Sequence, residues 1–494
     1  MSTSNNQSFK RVLVWDDVIL DLQDALSQID TPVYIVGGAV RDAFLRRPLK
    51  DVDLVTPESG IKLGRKIANA LGGDFYPLDA DRDVGRALIE TPNGKLTFDV
   101  ASFRAADLES DLRDRDFTIN AMAVDVRGDL NEIIDPTGGE RDLITKTLRR
   151  CNPNALTDDS IRALRGVRQS VKFGLHIDPE TVRDIRAAGL HLTENSPERL
   201  RDEFFQLLEL AKPDVALRIA DMLGLLSVIV PQIEYQRALP GTGMMPNGLG
   251  VTFNAIGMLS QIVTTISPRR TDETAAQFTF GMLVMALDRF RKPLQSHVEA
   301  HYANDRSHRA LLILAGLLWG IDDKNAADAG SIWETVATTL RLSNSEKDRF
   351  TAIARHQSRF AAFWNDEPTP VSIYRYWRDT DSAGIDIILL TMAFQLARAG
   401  QFNDQDAWLH IVETARTLLN AYFEQRDQLV DPPMLVDGRD LMATLNLKPG
   451  RLIGELLEAI RELQVEGSIR TRDEALAFAL QRISHNGTTP HQGV

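Results

Sequence analysis

Short apolar runs separated by turns dominate the first 150 or so residues of the chain. Val33–Val36 (VYIV) predicts a strand, followed by Gly37-Gly38 and a helix-like stretch over Ala39–Leu45. Asp51–Val55 (DVDLV) alternates charged and apolar positions with period two, as a half-buried strand should. Ala87–Glu90, Leu96–Val100 and Ala121–Val126 predict further strands, with Thr91-Pro92-Asn93-Gly94 as a hairpin turn. Beyond about Asp158 the alternation stops, and helical periodicity runs to about residue 480. Pro and Gly clusters at Leu239–Gly250, Glu367–Pro370 and Asp431–Pro433 divide that helical stretch into modules. The pattern predicts an α+β N-terminal region followed by an all-α, multi-module C-terminal region. No tandem repeat of fixed period is visible, and the polar tail His485–Val494 is predicted to be disordered.

Composition changes the picture in three ways. The 494 residues imply about three or four domains, each able to bury its own core. A single cysteine, Cys151, excludes a disulfide framework and a cysteine-based zinc module, and suits a reducing, cytoplasmic setting. The longest conspicuous apolar run, Ala310–Ile321, falls short of the ~18–20 residues of a membrane span and predicts a core helix. MSTSNNQSFKR at the N-terminus lacks the apolar segment of a secretory signal. Lys+Arg 56 against Asp+Glu 69 leaves a net charge of −13, which weighs against a nucleic-acid partner. Charge is unevenly spread, however. Between Arg141 and Lys172, eight Lys/Arg stand against three Asp, a local +5 that predicts a basic track on an acidic body.

Four clusters carry candidate chemistry. Gly37-Gly38-Ala39-Val40-Arg41-Asp42 follows a strand and opens a helix, where glycines let an anion approach backbone N–H groups and Arg41 adds donors. Asp51 and Asp53 lie two apart on a strand, so both carboxylates share one face, and a hard cation such as Mg²⁺ would relieve their repulsion. Asp99 on a later strand is a possible third carboxylate, and Arg115, Asp116 and Asn120 can offer a cation, an acceptor and an amide to one ligand. Plainer readings are a solvent-facing edge for the first carboxylates, and a local ion pair with a cap for the second group. Last, Asp158-Asp159-Ser160-Ile161-Arg162 continues with Arg165 and Arg168, a row of arginines at helical spacing with Asp159 near its start.

Taken jointly and in order, these clusters, with RDFTINAMA and Asp135-Pro136-Thr137-Gly138-Gly139, resemble the class II CCA-adding tRNA nucleotidyltransferase and bacterial poly(A) polymerase family, within the DNA polymerase beta-like superfamily. The helical half is similar as well, at Leu340–Glu346, Ile373–Asp379 and Leu435–Ala479. The resemblance implies a nucleotidyltransferase head over 1–148, a helical nucleotide- and RNA-binding neck over 149–235, a body over 236–425 related to HD phosphohydrolases, and a tRNA-binding tail over 426–484, before the disordered 485–494. It implies an enzyme that uses Mg²⁺, CTP and ATP to add CCA to tRNA 3′ ends with loss of pyrophosphate and no template. Asp51 and Asp53 would hold metal, with Asp99 as a further ligand or base. Gly37, Gly38, Arg41, Arg115, Asp116 and Asn120 would bind the nucleotide, Gly38 and Arg41 at its triphosphate, and Asp159, Arg162, Arg165 and Arg168 would meet its base and phosphates. An A-adding enzyme or a poly(A) polymerase is the sister reading, and a silent RNA-binding paralogue a third. The chain departs from the family pattern at Asp114 and Asp158, and in the body Leu317-Leu318-Trp319 stands where relatives carry a His-Asp metal motif. His297 and His301, four apart, read as surface histidines. Oligomeric state is not legible.

Overall fold

The computed structural model describes residues 12–27, 29–92, 94–241, 247–266, 278–321, 329–364, 366–398 and 405–485. The tail after His485, the first eleven residues, Asn93 and part of the Leu239–Gly250 cluster lie outside them. The chain divides into two compact units, Met1–Leu210 with Ile219–Ile229, and Ala211–Arg218 with Val230–Val494.

The first unit is built on a mixed six-stranded sheet ordered β3-β4-β5-β2-β1-β6. Its strands are β1 (Tyr34–Val36), β2 (Asp51–Thr56), β3 (Asp74–Asp79), β4 (Val84–Thr91), β5 (Gly94–Ser102) and β6 (Ala123–Asp125). β2 pairs antiparallel with β1 and parallel with β5, in a register that sets Asp53 beside Asp99 and Leu54 beside Val100. The period-two pattern of β2 holds: Val52 and Leu54 are fully buried, while Asp51 and Asp53 are exposed. Of the helices α1 (Asp17–Leu26), α2 (Gly38–Phe44) and α3 (Gly60–Leu71), α3 covers β3–β5 on the Val100 face. Alternation then leaves the carboxylates of Asp53 and Asp99 on the opposite face.

β3 was not legible in the sequence. It is an edge strand with Pro77 inside it and Tyr76 and Leu78 exposed, so it buries too little to show an alternating signal.

Six more helices follow in this unit: α4 (Leu108–Arg113), α5 (Gly139–Ile144), α6 (Ala155–Asp158), α7 (Arg162–Phe173), α8 (Pro179–Gly189) and α9 (Pro197–Leu208). The Asp135 carboxylate accepts the backbone N–H groups of Gly138, Gly139 and Glu140, and so starts α5. A Cβ on Gly139 would fall 2.1 Å from the Thr118 carbonyl oxygen, which makes the close approach possible only for glycine. Asp158 and Asp159 lie near a helix start, as expected, with a short helix ahead of them: Asp158 closes α6, Asp159 is extended (φ −148°, ψ 99°), and α7 begins at Arg162. Ala163, Leu164 and Val167 of α7 and Leu200, Phe204, Leu207 and Leu208 of α9 are buried, which turns the charged sides of both helices outward.

Helices continue as α10 (Pro213–Met222), shared between the units, and α11 (Leu225–Ile229) in the first. The second unit runs through α12 (Ile233–Ala238), α13 (Gly248–Ile266), α14 (Phe278–Asp288), α15 (Arg291–Glu299), α16 (His308–Leu318), α17 (Ala329–Thr339), α18 (Asn344–His356), α19 (Pro370–Thr380), α20 (Ala383–Arg398), α21 (Gln405–Glu424), α22 (Gly438–Leu445), α23 (Arg451–Glu466) and α24 (Arg472–His485). α13, longer than the Ala310–Ile321 run, is the one described helix long and apolar enough to cross a membrane; 67% of its apolar window is buried, as in a core helix. It packs on α16 and α20. Residues Ala310–Leu318 of α16 are all buried, as expected of a core helix. α22–α24 share an apolar core built on Leu441, Leu456, Ile460 and Ala479.

His297 is not a surface histidine. Its Nε2 lies 3.0 Å from Asp386 Oδ1 and 2.5 Å from Arg349 Nη2, in a buried polar cluster that joins α15, α18 and α20. His308 Nδ1 meets the His297 carbonyl at 3.0 Å. His301 lies beyond the end of α15 and is exposed.

Candidate active site

Within the first unit the end of β1, the start of α2, and helices α7 and α9 surround a cleft of about 480 Å³. Its walls include Gly37, Gly38, Asp53, Arg115, Asp116, Asn120, Asp159, Arg162 and Arg165. Residues from four separate stretches of sequence therefore meet at one cavity. Gly37 turns the chain from β1 into α2 at φ +71°, a region that favours glycine, and an added Cβ would stand 3.0 Å from Arg115 Nη1. That turn brings Arg115 against Asp53. The buried Asp111 carboxylate accepts from Arg115 Nη2 at 3.1 Å and from the Arg104 backbone N–H at 2.9 Å, so it steadies both arginines.

The carboxylates differ in environment. Crowding by the cleft walls pushes the Asp53 carboxyl up; Arg115 opposes this, and the negative charges of Asp99 and Asp51 add to it. Asp116 is fully buried, which alone would raise it, yet Arg165 at 2.5 Å and the Asn120 amide hold it below the usual carboxylate range. Asn120 also donates to Gln169. Asp99 is engaged by Arg86, its register partner on the adjacent strand β4, through contacts of 2.6 and 2.7 Å. A lone Cys151 lies half-buried behind Asp116, and burial pushes its thiol well up.

Metal binding is tested by the donor set. Among the described residues no group of three or more His, Cys, Asp or Glu is assembled as a cage. Asp51 and Asp53 nonetheless present two exposed carboxylates on one face, and the negative charges of Asp99 and Asp51 both bear on Asp53. Mg²⁺ is ordinarily held by one or two carboxylates, with water and substrate phosphate completing the shell, so the pair fits that ion.

Four expected residues sit elsewhere than on the cleft wall. Arg41 is 7% exposed, donates to Asp42 and to Asn120 Oδ1, and stacks 4.2 Å from the Phe173 ring. It supports the cleft from behind and is not among its lining donors. Asp51 lines a neighbouring cavity with Lys50 and Thr97, Asp99 is paired with Arg86, and Arg168 is held by Glu203 at 2.5 Å. Arg162 donates to the carbonyls of Ala155 (2.9 Å) and Asp114 (3.3 Å).

Sequence reasoning missed one wall. Arg199, Asp202, Glu203 and Gln206 of α9 line the cleft. Their spacing of three, four and seven forms a polar stripe opposite Leu200, Phe204 and Leu207, which was the available signal. Arg104 also lines the cleft.

Residues 33–149 match the model of the poly(A) polymerase head domain, 174–236 the polymerase A region named for RNA and SrmB binding, and 339–479 tRNA nucleotidyltransferase domain 2. The chain is 26% identical to a CC-adding tRNA nucleotidyltransferase of Geobacter sulfurreducens over 91% of both chains. It is 28% identical to an A-adding tRNA nucleotidyltransferase of Deinococcus radiodurans over 90% of this chain and 94% of that one. A multifunctional CCA protein of Vibrio parahaemolyticus is 36% identical over 42% of this chain and 53% of its own length. In fold the chain matches a CCA-adding enzyme solved with ATP (TM-score 0.65, 20% identity, 95% of this chain and 96% of that one). It also matches the Thermotoga maritima CCA-adding enzyme complexed with tRNA (TM-score 0.57, 20% identity, 94% and 95%). With these three models in order along it, the chain belongs to the tRNA nucleotidyltransferase and poly(A) polymerase family.

Proposed function

We propose that the protein is a template-independent RNA nucleotidyltransferase that adds CCA to tRNA 3′ ends from CTP and ATP, releasing pyrophosphate. The observation that carries this reading is the single cleft uniting Gly37-Gly38, Asp53, Arg115 and the Asp159/Arg162 pair. Gly37 and Gly38 leave no side chain between the start of α2 and a triphosphate. Arg115, steadied by Asp111, would meet phosphate oxygens, and Asn120, fixed by Asp116 and Gln169, the sugar. Asp159 and Arg162 offer an acceptor and donors to the edge of a base, which is how cytosine and adenine can be chosen without a template strand. Asp51 and Asp53 would hold Mg²⁺, which when bound supplies charge neutralisation at the α-phosphate and eases ionisation of the RNA 3′-hydroxyl. The chain's own part is orientation of two reactants, the nucleotide and the RNA 3′ end, in a confined site. The domain bounds stated from the sequence, action in the cytoplasm and tRNA contact by the helical tail are further parts of this proposal.

A second reading, addition of CC alone, is favoured by the relationship to the Geobacter enzyme and to a CC-adding enzyme of Synechocystis. Labelled CTP or ATP incorporation into tRNA ending at the discriminator base, at C and at CC separates them. The expected outcome is C, C and then A; a product that stops at CC selects the second reading, and A onto CC only selects an A-adding enzyme. An open-ended A tail selects a poly(A) polymerase.

A further inference from the structure

Asp159 has an unusual support. Its backbone is extended, in the link between α6 and α7, so no helix fixes the direction of its side chain. Its Oδ1 accepts only a long bond from the Ile161 N–H, at 3.3 Å. Oδ2 accepts from Arg199 Nη2 at 2.8 Å, and Arg199 Nη1 in turn meets Asn195 Oδ1 at 3.3 Å. Asn195 donates to Ser160 Oγ at 2.6 Å, and Ser160 donates to the His191 carbonyl at 3.1 Å. The Asp159-Ser160 link is thus strapped to the segment that starts α9. Arg162, by contrast, is held by two backbone carbonyls and needs no side chain to orient it.

We infer that Arg199 is a positioning residue for nucleotide choice, holding the Asp159 carboxylate so that its remaining lone pairs face the base. The inference rests on the reading of Asp159 and Arg162 as the pair that meets the base edge. An ionised carboxylate offers about four acceptor sites, of which Arg199 and Ile161 take two, so the strap leaves acceptors for the incoming base. Three adjoining cavities, of about 740, 480 and 830 Å³, all share Asp159 and Arg199 in their walls, so this ion pair stands where the spaces for nucleotide and RNA end would meet. The Arg199 side chain is 57% exposed, and an ion pair so wet adds little to stability. Its removal should therefore leave the fold intact and be read in selectivity.

The test is a double-mutant cycle on steady-state CTP and ATP incorporation, with R199Q, R199K, D159N and the double variant D159N/R199Q. In R199Q, KM for both nucleotides is expected to rise about tenfold, with kcat within about threefold, a narrower CTP-to-ATP preference, and unchanged tRNA affinity and melting temperature. R199K, which keeps the positive charge but loses the planar fork, should recover part of the loss, and the double variant should be no worse than D159N alone. Losses that multiply in the double variant, or an R199Q effect confined to tRNA affinity, overturn the inference while the base-edge reading stands. D159N with unaltered nucleotide choice and KM overturns the base-edge reading and the inference with it.

Discussion

Asp53 sits in an environment that resists its charge, with the cleft walls, Asp99 and Asp51 against it and Arg115 and Arg165 only partly offsetting them. Asp53→Asn is therefore expected to lower nucleotide incorporation by about a thousandfold while raising, not lowering, the melting temperature. Incorporation kinetics and a thermal melt of the same preparation check both halves, with tRNA affinity expected to stay at the wild-type value. A stabilised variant with near wild-type turnover would show that the strained carboxylate serves no catalytic purpose. At this scale the sequence was informative where residues act on the cleft directly: Asp53, Arg115, Asp159 and Arg162 all line it. It gave no hint of the partners that draw the Arg41 guanidinium inward, Asn120 and Phe173, because they are far away in sequence. It was silent on Arg199, whose importance depends on a carboxylate forty residues earlier.

The turn from β1 into α2 shows how one backbone conformation sets a site. Gly37→Ala would place a methyl group 3.0 Å from Arg115 Nη1 at φ +71°. We expect a loss of about 1–3 kcal/mol in stability, seen as a lower denaturation midpoint, together with weaker nucleotide binding because Arg115 must shift. Unchanged nucleotide KM in the folded variant would separate Arg115 from the phosphates. Elements with one buried and one wet face, such as β2, were legible because burial imposes the period. Edge strand β3 was not, and although Asp158-Asp159-Ser160 pointed to a helix start, the short α6 ahead of the break at Asp159 was not legible. What creates that break is tertiary: Ser160 and Asp159 find partners in the 191–199 segment in place of their own helix.

Over the whole molecule, net charge and local charge tell different stories. The +5 segment from Arg141 to Lys172 loses much of its free charge on folding, because Arg149, Arg150, Arg165 and Arg168 each meet a carboxylate. Acid sensitivity is expected from the helical unit. Burial, with Arg349 and His297 nearby, lowers His308 from 6.5 to about 4. Between those values the unfolded chain takes up a proton that the folded unit refuses, so stability should fall as pH drops from 6.5 to about 4. Asp386 acts lower: burial would raise it, but Arg349 and His297 bring it to about 2, so its contribution is present above the ordinary aspartate value of 3.8 and is lost as pH falls through about 2. Melting temperatures from pH 7.5 downward, compared with His308→Asn, check the first window; a slope unchanged by the substitution would move the effect to another group. The sequence placed His297 on the surface for want of any hint that Arg349 and Asp386, 52 and 89 residues on, close over it.

Cys151, the only thiol in the chain, is held in its neutral form by burial at the back of the cleft. A neutral thiol is a poor nucleophile, so ordinary maleimide and iodoacetamide reagents will pass it by at neutral pH. Spectroscopists thereby gain a natural blank: a cysteine introduced on either unit can carry a fluorophore or spin label without first removing the native one, and domain motion during a catalytic cycle becomes measurable in an otherwise unaltered protein.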